Sequence, residues 1–309
     1  AQGYFEYDSK KAGAVTVSHL RFGPRPIRST YLIQAGEADF IGCHQSLFLD
    51  RLDMLEKAAD RAVFLLNTST PVDQIWDTLP LPVQKTIIDK HLSFHVIDAY
   101  KVADDVGMGR RINTIMQTCF FAISRILLHD EAISAIKGAV QKTYGKKGRR
   151  ITEFNFRAID KTLEHLAEVT VPSTYNNSPQ GETKQLLGAP EFVLRVTKPM
   201  INGRGNLLPV SELPADGSFP TGTAAYEKRN LAQEIPVLET DLCTQCGKCV
   251  FVCPHSAIRS KIYPVDSLKN LPESFKSMQL KAKEYGENLL TTYQVAPEDC
   301  TGCTLCVEA

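Results

Sequence analysis

CTQCGKCVFVCP, residues 243–254, sets four cysteines in the order Cys-x2-Cys-x2-Cys-x3-Cys-Pro. Three thiolates two residues apart on a tight loop can each reach a different iron of one cube, and the turn set by Pro254 carries the fourth away. Gly247 lets backbone amides point at sulfur and tune the potential. A structural zinc site is the competing reading, but zinc modules usually use two separated cysteine pairs. The spacing predicts [4Fe–4S] binding by Cys243, Cys246, Cys249 and Cys253.

Downstream the motif returns as CTGCTLC, with Cys300, Cys303 and Cys306, and its spacing would put a fourth cysteine at the position after Ala309. In two-cluster ferredoxins the fourth cysteine of each run ligates the other cluster. Cys253 is therefore expected to complete the set of Cys300, Cys303 and Cys306. The set of Cys243, Cys246 and Cys249 is expected to be one ligand short in this stretch of chain, giving a labile or three-iron site. Between the motifs, PESFKSMQLKAKEYGENLL (272–290) is amphipathic and charged. It reads as a covering loop or as a docking surface for a redox protein.

Upstream, VPSTYNNSPQGETKQ (171–185) is polar and rich in turn formers, so a linker is expected there. Pro199, Pro209, Pro214 and Pro220 interrupt any long element after it. An extended connecting region is expected over 171–240, with one short strand at FVLRV (192–196). Residues 241–309 then form a ferredoxin-like α+β domain.

Residues 1–170 alternate between strand and helix patterns. VTVSHL (15–20), STYLIQ (29–34), DFIGC (39–43), AVFLLN (62–67) and FHVIDA (94–99) read as strands buried on both faces. Helices are expected over 111–128, 131–144 and 151–169, each with apolar residues at helical spacing. The order predicts a three-layer α/β/α domain. Cys119 lies on a helix stripe and Cys43 ends a strand, so both read as core.

Lys+Arg and Asp+Glu both total 35 in 309 residues, and no basic tract with interleaved aromatics occurs, which argues against nucleic acid. No apolar run is long enough to cross a bilayer. Seven of the nine cysteines crowd between Cys243 and Cys306, which fits metal-bound thiols kept reduced in cytoplasm rather than a disulfide framework. The chain starts without Met and stops within a motif, so a piece of a longer polypeptide is expected.

YDSKKAGAVTVSHLRFG (7–23), ADFIGCHQSLFLDRLDMLE (38–56), GMGRRINTIMQTCFF (107–121), AYEKRNLAQEIP (225–236) and CTQCGKCVFVCPHSAIR (243–259) together resemble the pyruvate:ferredoxin (flavodoxin) oxidoreductase family. The resemblance runs in order over essentially the whole chain. It implies a γ-type domain over 1–170, a small connecting domain around Tyr226–Arg229, and a two-cluster domain over 241–309. It implies a parent enzyme that decarboxylates pyruvate on thiamine diphosphate with Mg2+, passes electrons singly through its clusters, and delivers acetyl to coenzyme A. The acceptor would be ferredoxin or flavodoxin, and the full chain a homodimer. The thiamine-binding domains fall outside this chain, so no catalytic acid, base or nucleophile is expected in it. On the coenzyme A side the resemblance points to Lys10 and Lys11 as mobile charges for phosphate. Gly107, Gly109, Arg110 and Arg111 precede a helix whose free N–H groups favour an anion. Solvated lysines and a plain helix cap are the competing readings. Two further readings stay open for the whole: a stand-alone electron-transfer subunit, and a scaffold with structural clusters.

Overall fold

The computed structural model describes residues 1–7, 15–28, 31–109, 111–124, 126–176, 188–228, 230–232 and 234–309. They divide into two compact units, one of residues 32–219 and one of 1–31 with 220–309.

The chain opens with β1 (Gln2–Tyr7) and β2 (Thr16–Arg21), an antiparallel pair in register from Gln2 opposite Arg21 to Tyr7 opposite Thr16. The run at 15–20 is thus a strand, as its β-branched residues suggest, but of a separate hairpin. Only His19 is buried along it, where its ring meets the Glu6 carboxylate at 2.6 Å. Residues 31–34 form no strand, and Ser29 and Thr30 lie outside the described residues.

The unit 32–219 is built on β3 (Ala38–Cys43), β4 (Ala58–Asn67), the short helices α1 (Ile75–Thr78) and α2 (Leu81–Asp89), and β5 (Ser93–Ile97). The three strands are neighbours in that order and parallel. Next come α3 (Ala99–Asp105), α4 (Asn113–Ile123), α5 (His129–Tyr144) and α6 (Arg149–His165). The two-residue β6 (Ala167–Glu168) closes the sheet antiparallel to β5. Strand side chains alternate between faces, and both faces are covered. Phe64, Leu66, Phe94 and Val96 pack with Ile75, Trp76, Val83 and Ile87 from α1 and α2. Leu65 and Ile97 pack with Val102, Ile115, Cys119 and Ala158 from α3, α4 and α6. This is the expected three-layer α/β/α arrangement. The rings of Phe64 and Phe94 stack with centroids 5.1 Å apart, and each buried ring contributes about 2 kcal/mol.

Asn67, buried at the end of β4, ties the neighbouring strand ends together. Its Oδ1 accepts the Ala99 N–H at 2.8 Å, and its Nδ2 donates to the His44 carbonyl at 3.1 Å. Asp98 caps α3 by accepting the Lys101 N–H.

Several boundaries differ from the sequence reading. The helix at 111 ends at Ile123, because Leu128 is extended and starts α5 afresh. The helix at 151 ends at His165, and the next residues pair with β5 because Glu168 lies opposite His95 and Ala167 opposite Val96. FVLRV is helical: Val193–Thr197 is a π-helix running into α7 (Lys198–Ile201), and its buried residues are Val193, Val196 and Thr197.

In the other unit, α8 (Lys248–Val252) precedes β7 (Ile258–Pro264), β8 (Met278–Gln279), β9 (Leu289–Val295) and α9 (Leu305–Glu308). β7 and β9 pair antiparallel along their whole length, from Ile258 opposite Val295 to Pro264 opposite Leu289, with β8 on the far edge of β9. No helix among the described residues is long and apolar enough to cross a membrane.

Candidate metal centre

Each cysteine run is a loop followed by a single helical turn, and the two loops are wound alike. Two residues after the first cysteine of each run the backbone is left-handed, at Gln245 (φ 63°) and Gly302 (φ 69°). One residue after the second cysteine it is left-handed again, at Gly247 (φ 72°) and Thr304 (φ 65°). These turns swing amides toward sulfur. The Gln245 N–H reaches Cys243 Sγ at 3.4 Å, and the Gly302 N–H reaches Cys300 Sγ at 3.5 Å. The Ala257 N–H reaches Cys253 Sγ at 3.3 Å, just beyond the Pro254 corner. Amides aimed at sulfur in this way are the donors expected around a cluster.

The thiols fall into two sets. Cys249 is held above its ordinary pKa by burial first and then by the negative charges of Cys243 and Cys246. Cys306 is raised by burial and then by Cys303, Cys253 and Cys300. Among the charges that raise Cys306, that of Cys253, carried on the first run, acts together with those of the second. Cys246 is lowered, chiefly because the Lys248 N–H donates to its sulfur and then because the Thr244 hydroxyl does. Cys246 and Cys303 are exposed and the other five are partly buried. Among the described residues no three His, Cys, Asp or Glu side chains are grouped to hold a single metal ion. A cube makes no such demand, because each thiolate meets a different iron. An all-sulfur donor set with amide donors behind it fits an iron–sulfur cluster.

Three features of this unit left no local mark in the sequence. The Gln245 side chain bridges to the segment between the motifs, donating to the Gln279 carbonyl at 2.7 Å and accepting the Lys281 N–H at 2.9 Å. Lys281 Nζ also donates to the Cys243 carbonyl at 2.9 Å. Tyr293, on β9, is raised by burial and then by the charges of Cys243, Cys249 and Cys246. Lys228, from the connecting region, pairs with Asp299 immediately before Cys300.

Of the residues expected on the coenzyme A side, Lys10, Lys11 and Arg110 lie outside the described residues. Gly107 (φ 80°) and Gly109 (φ 58°) are left-handed, in the turn that leaves α3. The Gly107 N–H donates to the Asp104 carbonyl and the Met108 N–H to the Ala103 carbonyl, closing the end of α3. Arg111 is exposed two residues ahead of α4. Cys43 and Cys119 are buried, and burial pushes each thiol up to about 12, which fits packing and not ligation.

A family model described as pyruvate ferredoxin/flavodoxin oxidoreductase matches residues 1–165, more than half of the 309-residue chain. The chain belongs to that family. A 4Fe-4S dicluster domain matches residues 242–309, and between the two a domain of unknown function matches 180–232. The pyruvate-flavodoxin oxidoreductase of Rhodospirillum rubrum is 52% identical over 308 residues, covering 100% of this chain and 26% of its own length. The Nostoc enzyme of the same name is 52% identical over 314 residues, covering 99% of this chain and 26% of its own. The pyruvate:ferredoxin oxidoreductase of Moorella thermoacetica is 44% identical over 308 residues, with 100% and 26% covered. The chain spans about a quarter of the length of these relatives.

Proposed function

We propose that this chain is the electron-relay part of a pyruvate:ferredoxin (flavodoxin) oxidoreductase and supplies some of its coenzyme A side. The observation that supports the reading is the matched winding of the two cysteine loops, left-handed at the same two positions and each with an amide donor on its first sulfur. An iron–sulfur pair, once bound, supplies one-electron steps at two neighbouring positions. The chain's own residues do the holding. Cys243, Cys246 and Cys249 take one [4Fe–4S] cluster. Cys253, Cys300, Cys303 and Cys306 take the other, and the amides of Gln245, Ala257 and Gly302 steady the sulfurs.

Residues 1–170 form the γ-type domain, 171–240 the connecting region and 241–309 the two-cluster domain. Lys10, Lys11, Gly107, Gly109, Arg110 and Arg111 are candidates for the phosphates of coenzyme A. Thiamine diphosphate and Mg2+ belong to parts of the parent enzyme outside this chain. Ferredoxin or flavodoxin takes the electrons, the parent is a homodimer, and the exposed thiols of Cys246 and Cys303 fit a reducing cytoplasm. A stand-alone electron carrier is the weaker reading, because a carrier has no use for a three-layer α/β unit of this family. The test is anaerobic assay of the full-length protein for pyruvate- and coenzyme-A-dependent reduction of flavodoxin or ferredoxin. Reduction that requires both substrates supports the reading. Iron-loaded protein that ignores pyruvate refutes it and leaves the carrier.

A further inference from the structure

The segment after residue 226 meets the second cysteine loop at three successive points. Lys228 Nζ lies 3.1 Å from Asp299 Oδ1 and 3.0 Å from Oδ2. The Asn230 N–H donates to the Glu298 carbonyl at 2.9 Å, with Asn230 itself left-handed (φ 51°) so that the chain bends into the contact. Further on, the Glu234 carbonyl and Ala232 close over Gly302. A side chain there would place its Cβ 3.4 Å from that carbonyl and 3.7 Å from Ala232.

Most exposed ion pairs contribute little. This one is different in setting: the side chains are only 31% and 23% exposed, and one ammonium serves both carboxylate oxygens. Asp299 is also no free surface residue. Its N–H and that of Cys300 both donate to the Ala296 carbonyl, and the Ala296 N–H donates to Ala257. Ala257 is the residue whose amide reaches the Cys253 sulfur. Pulling on the Asp299 carboxylate therefore pulls on the turn that sets Cys300 and, through Ala296 and Ala257, on the corner that sets Cys253.

We propose that Lys228 is a positioning residue for the second cysteine set, and that the end of the 180–232 region, for which no function is described, serves as the clamp of that loop. The inference rests on the iron–sulfur reading of Cys253, Cys300, Cys303 and Cys306 given above. The pairing has two effects. The clamp keeps the loop wound for its ligands. The ammonium also cancels a carboxylate that would otherwise stand one residue from a ligand, and net charge is one of the levers on a cluster's potential.

The experiment uses anaerobically purified full-length protein carrying Lys228→Gln, Asp299→Asn or Lys228→Arg. Iron release to a chelator and redox titration followed by EPR are read for each. Both Lys228→Gln and Asp299→Asn should release the iron of one cluster on the order of tenfold faster than wild type. Their potentials should move in opposite directions: a lone carboxylate makes that cluster harder to reduce, and a lone ammonium makes it easier. Lys228→Arg keeps the charge and should stay near wild type. A loop with only a packing role would give no such opposed shifts, so same-sign or absent shifts overturn the inference. So does wild-type iron release in both variants. If Lys228→Gln does not fold, Asp299→Asn alone decides by its release rate and its upward shift. A wild-type protein that holds no iron–sulfur cluster overturns the underlying reading instead.

Discussion

Replacing Cys253 by alanine should cost the cluster of the second motif, not of the first in which Cys253 stands. The Cys306 thiol feels the charges of Cys303, Cys253 and Cys300, while the Cys249 thiol feels those of Cys243 and Cys246. Loss of one of four thiolates leaves a labile site, and treatment with a chelator then strips about four irons per protein. The assignment then fixes how losses combine. Cys253→Ala with Cys306→Ala should lose no more iron than either change alone, because both act on one cluster. Cys253→Ala with Cys249→Ala should lose about eight irons, because they act on two. Iron and acid-labile sulfide are measured on anaerobic full-length protein, with EPR of the reduced state to identify the cluster that remains. The reasoning is refuted if Cys253→Ala and Cys249→Ala together lose only what one of them loses, for then Cys253 sits with its sequence neighbours.

Asn67→Ala leaves the Ala99 N–H and the His44 carbonyl without their partner, at a cost of about 2 kcal/mol, and hydrogen exchange at Ala99 should quicken by more than tenfold. Phe64→Ala opens a cavity beside Phe94 and should destabilise the unit 32–219 by about 3–5 kcal/mol, read as a lowered denaturation midpoint. Cys43 and Cys119 have folded-state values raised to about 12 from 9.0, so the folded form keeps protons that the unfolded form gives up. The stability this represents is full below pH 9 and drains as pH rises toward 12, by about 1.4 kcal/mol per pH unit for each thiol. Cys43→Ala should flatten the alkaline limb of a stability-versus-pH curve, and an unaltered limb would count against burial as the cause.

The parts of this molecule that were legible in its sequence are those with a local signature. Cysteine spacing is local, and so is the run of apolar residues that a parallel strand needs on both faces, as in AVFLLN. What escaped was decided by distant partners. VTVSHL carries the residues of a buried strand, yet its pairing with Gln2–Tyr7 puts it in a hairpin where only His19 is covered. FVLRV has the β-branched residues of a strand, but Val193 and Val196 are both buried, three apart, and that burial suits a helix. Lys228 and Asp299 are ordinary charges 71 positions apart, and nothing in either neighbourhood announces the other. Gly107 and Gly109 show the reverse difficulty. Their pattern suggests a phosphate site, and the left-handed turn they occupy serves a phosphate loop and a helix cap alike, so the backbone does not choose between the two.

The proposed ligation of Cys253 with the second set would have a consequence for how the molecule matures. With metal in place, the thiolates on either side of residues 254–299 become joined through inorganic bonds, so the excursion between them is closed as firmly as by a covalent crosslink. Closing a loop of that length removes much of the freedom available to the unfolded chain. Cofactor delivery is then part of folding: the β7–β9 pair and its covering segment gain their last fastening from iron, and oxidative damage to one cube would loosen a stretch of polypeptide well beyond its own ligands.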